Sequence, residues 1–549
     1  MSRDSDVTVL IVGAGPVGLT LAIDLAWRGI DVTVAETRAR AAPPEPKCNH
    51  VAARTMEIFR RLGLAEKVRN AGLPPDYPHD ISYRTTFIGQ ELTRIKIPCR
   101  RDRFTDTNGP DGNWPTPEPP HRINQIFLEP ILFAHAENQP RIQILNRTVV
   151  EDVLVADASA TAALQDLDTG AVRQLHCRFV IGCDGARSVV RKAIGAEFSG
   201  DAIIQRVQST YIHAPDLITR QQHERAWGTA AINPRRAGTV YAIDGLERWL
   251  VHNYLRPDEP DFDSVDRDWA IRTILGVDAD FRYQVISKED WYGRRLVADK
   301  FRERCAFIAG DAAHIWVPYA GYGMNAGIAD ATNLSWLLAA HLNGWAPAAI
   351  LHAYERERLP ITDQVSRFAM AHAEAEIRRR GAVPNEIEEA GPRGERARQD
   401  VGRLTYTINV QQYACAGLNF GTYYDRSPII AYDGAEHPPY TMAAYTPSTV
   451  PGCRTPHFWI ADGTSLYDAL GHEFTLLKLD AAIDATPLLA AARHREVPLT
   501  VLDMASSQAA DHYDHPLILS RPDQHIAWRG HALPADPLAL IDRVRGAGN

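Results

Sequence analysis

The chain has 549 residues, a net charge of −9 and a hydrophobic fraction of 45%. Such a length implies roughly two to four domains with a large buried core, and the apolar share excludes global disorder. The acidic balance, without a long basic run, argues against a nucleic-acid backbone as partner.

Residues 9–12 are a short apolar run, the pattern of a buried parallel strand. Gly13, Gly15 and Gly18 follow with G-x-G-x-x-G spacing. They permit a tight turn, a close pyrophosphate and a helix pressed on the sheet. That helix is expected over 16–27, with Pro16 and Val17 in its first turn and its positive end toward the phosphates. A second strand over 30–35 puts Glu36 at its tip, ahead of Thr37 and Arg38. A carboxylate there accepts hydrogen bonds from ribose hydroxyls and repels a 2′-phosphate, so the site suits an adenine dinucleotide other than NADP. Glycines also serve ordinary turns; strand, turn, helix, strand and acid in order are the stronger sign. Asp24 and Arg28 break the apolar run, which excludes a membrane span here.

Residues 46–63, "PKCNHVAARTMEIFRRLG", enter a helix, and 106–122 have the composition of a surface loop. "RINQIFLEPIL", 122–132, opens an amphipathic helix near Gln125. In "RFVIGCDGARSVVRKAIG", 178–195, a strand over 179–182 leads through an Asp184-Gly185 turn into a helix. "STYIHA", "TVYAIDG" and "RWLVHNYL" read as further strands. A buried strand over 305–309 ends at Gly310-Asp311, placing a carboxylate where ligands of open α/β sheets lie. Pro318, Gly321 and Gly323 then make a loop of bare amides before a helix starting near Met324 or Asn325 and ending near Gly344. Helical pattern continues over 348–380, with Pro360 as a kink or break, and the charged stretch 385–399 reads as linker. The last part, 400–549, reads as a small α/β module, in which Asp523-Gln524 is a turn without chemistry. The seven cysteines (48, 99, 177, 183, 305, 415, 453) form no C-x-x-C, so buried or idle thiols in a reducing cytoplasm are expected rather than a metal site or disulfide framework.

Taken in this order, G13-x-G15-x-x-G18, Glu36, Asp184-Gly185, Gly310-Asp311 and Gly323-Met324-Asn325 resemble the class A flavoprotein aromatic hydroxylases, relatives of para-hydroxybenzoate hydroxylase. The nearest branch is that of phenol, 2,4-dichlorophenol and polyketide hydroxylases. The likeness spans residues 7 to 380 and, more loosely, the C-terminal part. It implies a Rossmann-like FAD-binding domain of the glutathione-reductase type, a β-sheet substrate domain and a C-terminal thioredoxin-like domain without redox cysteines. The expected division is 1–75, 115–200 and 295–380 for the discontinuous FAD-binding domain and 76–114 with 201–294 for the substrate sheet. A linker over 381–399 and a thioredoxin-like domain over 400–549 complete it.

The same resemblance implies tight, non-covalent FAD, NAD(P)H as transient reductant and O2. A phenolic or polycyclic aromatic substrate is then hydroxylated through a flavin C4a-hydroperoxide. Glu36 would bind the adenosine ribose, Asp311 and Gln125 the ribityl chain, and the Met324 and Asn325 amides the pyrimidine edge of the flavin. Lys47 stands where many relatives carry an arginine near the flavin, and a lysine neither stacks nor binds bidentately. Asn49 replaces an aspartate of phenol hydroxylase and is no base, which leaves neighbouring His50 as a candidate proton acceptor or a packing histidine. Pro318 would wall the flavin face beside Tyr319; Trp291, Tyr211 and Tyr292 are aromatic candidates for the pocket, although most aromatics are simply core. The partners implied are a small aromatic molecule, no nucleic acid, no membrane, and a second copy of the chain in a homodimer. Baeyer–Villiger oxygenation and a non-catalytic flavin sensor remain open alternatives. A halogenase would need W-x-W-x-I-P where only "HIWVPY" stands, and a disulfide reductase a cysteine pair after the first helix.

Overall fold

A computed structural model describes residues 7–460, 463–504 and 513–548. Its central layer is a parallel sheet of Ala306–Ile308, Val172–Gly182, Val7–Val12, Val32–Ala35 and Ile142–Leu145, in that spatial order. Val9, Leu10 and Ile11 have no exposed surface, as a strand covered on both faces requires. An antiparallel hairpin, Thr148–Val155 with Ala160–Asp166, extends Val172–Gly182 away from the layer.

The helix Pro16–Trp27 starts and stops where its sequence dictates, with proline in its first turn. It lies against the long helix Tyr322–Leu342, whose cap Gly321 has φ +61, a left-handed backbone that glycine adopts without a Cβ penalty. Farther along, a Cβ on Gly327 would stand 2.7 Å from Val17 and 2.9 Å from the Gly310 Cα. The two helices and the end of the strand Ala306–Ile308 therefore meet with room only for glycine at 327.

A second sheet of seven strands covers one side of this layer. Its order is Gln284–Gly293, Gln205–His213, Arg248–Tyr254, Gly238–Ala242, Gly228–Ala231, Ile81–Arg84 and Glu91–Ile95. Its own apolar core includes Trp227, Trp249 and Phe87. The predicted strands around Tyr211, Tyr241 and Leu250 are all present in it.

Of the kink or break expected at Pro360, the break does not occur: the helix His352–Gly381 continues through it. One expectation needs correction. The stretch 381–399 is not a linker: Ile387 is fully buried in the core of the seven-stranded sheet, and a helix, Pro392–Asn409, crosses the expected boundary at 399. Most of its charges are exposed, some of them paired, as in Arg393–Glu386 and Arg235–Glu388, which is why the segment reads as solvated in one dimension, although Arg398 is buried.

The C-terminal module is thioredoxin-like. Phe474–Lys478 pairs in parallel with Leu499–Asp503 across the helix Thr486–His494, then in antiparallel with Leu517–Ser520, which pairs with Ile526–Gly530. Ala461 and Asp462 of its predicted turns lie outside the described residues. The seven cysteines are all free thiols. Its Asp523-Gln524 turn is more than a turn, because it is built into the interface with the first domain. Arg521 and Glu357 are wholly buried and joined by two hydrogen bonds of 2.6 and 2.8 Å. Asp523 takes a further bond from Arg521 at 2.7 Å, and Arg54 reaches the Asp523 carbonyl at 2.7 Å. No helix among the described residues is long and apolar enough to cross a membrane.

Removing one member of a buried ion cluster leaves its partners desolvated and unpaired. Arg521→Leu is expected to lower stability by about 3–5 kcal/mol in urea unfolding. A loss under about 1 kcal/mol, the level of an exposed pair, would contradict this account.

Candidate active site

The C-terminal strand tips of the parallel sheet, the underside of the seven-stranded sheet and the helix His352–Gly381 enclose one cavity of about 570 Å³. Of the predicted cofactor residues, Gly15, Pro16, Val17, Lys47, Gln125, Gly185, Asp311, Pro318, Gly321, Gly323 and Met324 line it. Gly13, Gly18, Gly310 and Asn325 stand immediately behind as backbone supports, while Glu36, Thr37 and Arg38 lie past the first turn at the second strand tip.

The site has the vacancies a dinucleotide needs. Cβ atoms on Gly15 and Gly323 would meet nothing within 4 Å, whereas one on Gly18 would sit 2.0 Å from the Gly13 carbonyl oxygen. Asp311 makes no hydrogen bond or ion pair with the described residues and is open to the cavity, so it is a spare acceptor at a strand tip. Desolvation raises its pKa, against the opposing charges of His314 and Lys47. Burial also raises Glu36, but the Arg38 side chain and amide and the Ala14 N–H, the last at 2.8 Å, outweigh it and hold the carboxylate ionised. Asp184 accepts the Val189 N–H at 2.7 Å, while its other oxygen is buried without a partner.

The segment from Lys47 to Ala53 is stitched between two cofactor motifs. The Gln125 N–H donates to the Cys48 carbonyl at 2.7 Å, and Asn124, which caps the next helix, donates to Asn49 at 2.5 Å. From the other side Asn325 accepts the Ala52 N–H at 2.9 Å and donates to the carbonyls of His50 and Gly321. The Asn325 side chain is thus a brace for this segment. Lys47 is held at the rim by Glu289 at 2.8 Å.

His50 is brought to the cavity but is unsuited to the role of base. Burial first, then the Arg122 guanidinium, push its pKa well below the usual histidine value, and Arg122 donates to its Nδ1. Its role is packing, under Gly321, where a Cβ would come within 2.9 Å. Burial raises Tyr319 to about 12, partly offset by Arg380, so it stays a neutral phenol.

The substrate candidates divide by strand alternation. Ser287, Glu289 and Trp291 line the cavity from one strand, Leu250, His252 and Tyr254 from another, Ser209 and Tyr211 from a third. Tyr292 falls on the other face; it borders the cavity, but it is 47% exposed with its ring on Phe262. Trp291 donates to Ser209 Oγ at 2.8 Å, and Ser209 Oγ lies 2.6 Å from His252 Nδ1. Desolvation lowers His252 to about 4, so the ring is neutral. The sequence reading missed His252, Arg122, Tyr241, Tyr413 and Arg380. Period-two alternation around Trp291 and Tyr211 carries the signal for the lid residues once the inner face is known; nothing local marks Arg122 or Arg380.

Comparison with known proteins agrees with this geometry. Residues 6–369 match the FAD binding domain family, and 448–546 match the family described as aromatic-ring hydroxylase, C-terminal. A FAD-dependent monooxygenase, apdD, of Emericella nidulans is 30% identical, covering 98% of this chain and 89% of its own. The rebeccamycin biosynthetic enzyme RebC with reduced flavin superposes with a TM-score of 0.90 at 32% identity over 100% of both chains. Aklavinone-11 hydroxylase in complex with FAD and aklavinone gives 0.81 at 25% identity over 99% of both. The chain belongs to the FAD binding domain family and is an FAD-dependent monooxygenase of the aromatic-ring hydroxylase class, so the sensor alternative falls away.

Two outcomes test this geometry. Gly15→Ala should leave the apoprotein folded but weaken FAD binding at least tenfold, about 1.4 kcal/mol, because the methyl points where a pyrophosphate approaches. Gly18→Ala, which clashes with backbone, should perturb folding as well. Circular dichroism and FAD titration separate the two, and equal FAD affinity in Gly15→Ala and wild type would refute the phosphate assignment.

A pH test follows from His50, His79 and His121, which are buried with pKa values pushed well below 6.5, by burial before the neighbouring positive groups. Depressed folded values stabilise the native state above the unfolded pKa, and the gain is lost as pH falls below it. Each should cost about 1.4 kcal/mol per unit below about pH 6.5. Urea midpoints at pH 7.5 and 5.5 measure this; equal midpoints would refute it.

Proposed function

We propose that the chain hydroxylates a polycyclic phenolic substrate held between the strand tips and the seven-stranded sheet. The observation that carries this is the continuity of the cavity: one space of about 570 Å³ is bordered both by Gly15, Asp311 and Met324 and by Trp227, Tyr241 and Trp291. That space is shared by cofactor and substrate, and the aromatic lining on its lid side suits a flat ring system. Two relatives are named for acting on tetracenomycins, the tetracenomycin B2 monooxygenase-dioxygenase of Streptomyces olivaceus and the tetracenomycin A2 monooxygenase-dioxygenase of Streptomyces glaucescens.

In this reading the N-terminus of the helix Pro16–Trp27 faces the FAD pyrophosphate, Glu36 the adenosine ribose, and Asp311 with Gln125 the ribityl chain. The first amides of the helix Tyr322–Leu342, at Gly323, Met324 and Asn325, face the flavin pyrimidine, where a helix N-terminus favours negative charge. When bound and reduced by NAD(P)H, FAD supplies an electrophilic oxygen atom from O2. The protein supplies position and dryness. Pro318 and Tyr319 close one wall, and the Trp227, Tyr241 and Trp291 rings exclude water from the substrate face. His252, neutral and fixed through Ser209, presents its second ring nitrogen to a substrate oxygen. Orienting that oxygen fixes which ring carbon faces the flavin.

The purified yellow protein should oxidise NAD(P)H faster with a two- to four-ring phenol and return the phenol with one added oxygen atom. His252→Ala should lower kcat/KM by about ten- to a hundredfold, in line with a lost proton or hydrogen-bond partner, and consume more NAD(P)H per product. Product with oxygen inserted into a ring bond, rather than attached as hydroxyl, would favour Baeyer–Villiger chemistry. No oxygenated product from any ring size would defeat the proposal.

A further inference from the structure

The part of the cavity bounded by Tyr413, Tyr254 and the end of the helix His352–Gly381 differs in charge from the rest. Arg122, Arg379 and Arg380 line it with a single carboxylate, Glu376. The other charged lining groups are Asp311 among the cofactor residues and the Lys47–Glu289 pair.

Arg122 is the anomaly. It is 3% exposed, no carboxylate among the described residues lies within ion-pairing distance, and its Nε has no partner among them; the Asp111 carboxylate, which acts on it from farther off, is bound by two hydrogen bonds from Arg103. Its guanidinium is flanked by the rings of Trp227 at 4.8 Å and Tyr413 at 5.5 Å, and it donates to the His50 ring. Cation–π contacts and a neutral acceptor hold the group in place without cancelling its charge. A buried cation without an anion is costly, and proteins rarely keep one unless a ligand completes it.

Arg379 has the same deficit in smaller measure. Glu376 takes its Nε and Nη2, but Nη1 is buried with no partner. Glu376 is itself committed, because Asn409 donates to it at 2.6 Å. Tyr413 stands between Arg122 and the carboxylate that Arg379 binds: Arg122 lies against its ring, and Glu376 is near enough to act on its hydroxyl. Arg380 adds a third guanidinium, placed over Tyr254 at 4.1 Å and bonded to Gln205 at 2.7 Å.

We propose that this lobe binds a carboxylate carried by the aromatic substrate, with Arg122 and Arg379 as its donors and the Trp227, Tyr241 and Tyr413 rings against its polycyclic body. This rests on the reading of the cavity as the substrate site. Guanidinium groups match a carboxylate in charge and in planar donor geometry, and their strength rises where water is excluded. A neutral amide of the same shape keeps the acceptor oxygen but offers an N–H₂ to the donors and no charge, so it leaves the deficit in place.

The test uses the FAD-loaded enzyme without NAD(P)H. Salicylate, 1-hydroxy-2-naphthoate and anthraquinone-2-carboxylate are each compared with their carboxamides by calorimetry and by the perturbation of the flavin spectrum. At least one acid of two or three rings should bind ten times more tightly than its amide. In Arg122→Gln and Arg379→Gln the preference, measured on the FAD-loaded fraction of each variant, should fall below threefold. Equal binding of acid and amide in every pair, failure of all three acids to bind, or a preference that survives in both variants overturns the proposal. The acid–amide comparison in wild type needs no variant, so a misfolded variant does not rescue it. Product analysis separates the two readings. Acid-selective binding without any oxygenated product removes the hydroxylase substrate and leaves the carboxylate site. Hydroxylation of amide and acid alike does the reverse.

Discussion

The site depends on one close contact between three chain segments. The Val17 side chain, the Gly310 backbone and Gly327 come together where the first helix, the end of the strand Ala306–Ile308 and the long helix meet, and a Cβ on Gly327 would be under 3 Å from both of the others. Close packing of this kind fixes the distance between the first helix N-terminus and the Gly321–Met324 loop. With that distance set, Gly15, Asp311 and Met324 border one cavity although some 300 residues separate the first from the last. A larger residue at Gly327 would part the helices and spread the amides that face the cofactor.

Around this contact, the Lys47–Ala53 segment ties the start of the long helix to the helix that opens at Gln125. It is bonded on one side to Asn124 and Gln125 and on the other to Asn325. His50 at its centre touches both Gly321 and Arg122. The Gly321–Met324 loop and the Arg122 guanidinium are thereby held through a single histidine, which is kept neutral by burial and by that same cation. The arrangement explains why a histidine that looks like a base in sequence behaves as a strut.

The thioredoxin-like module belongs to the same rigid assembly. Arg521, Glu357 and Asp523 are desolvated together, and Asn333 and Ser427 donate the remaining hydrogen bonds to Glu357. Burial of charges is tolerated because each is paired on several sides. Glu357 lies on the helix His352–Gly381, whose other end carries Arg379 and Arg380 into the cavity, so the C-terminal module braces the element that closes the substrate lobe.

The sequence determined the parts whose signals are local. Glycine spacing, apolar runs and a helix-opening proline placed the helix Pro16–Trp27, the strand carrying Gly182 and the Gly321–Met324 loop, because turn chemistry and hydrophobic periodicity act over a few residues. Strand alternation was also there: Trp291 and His252 stand on regular period-two faces. Which face looks inward was decided only when the seven-stranded sheet settled over the strand tips, and this moved Tyr292 outward while bringing His252 and Tyr241 in. The charged stretch around Ile387 read as a linker because its charged residues are mostly exposed and Ile387 is its only buried apolar side chain. Arg122, Arg379 and Arg380 carry no motif at all. Their meaning comes from what is missing beside them in three dimensions, a carboxylate within reach of Arg122, and an absence between distant segments leaves no mark along the chain.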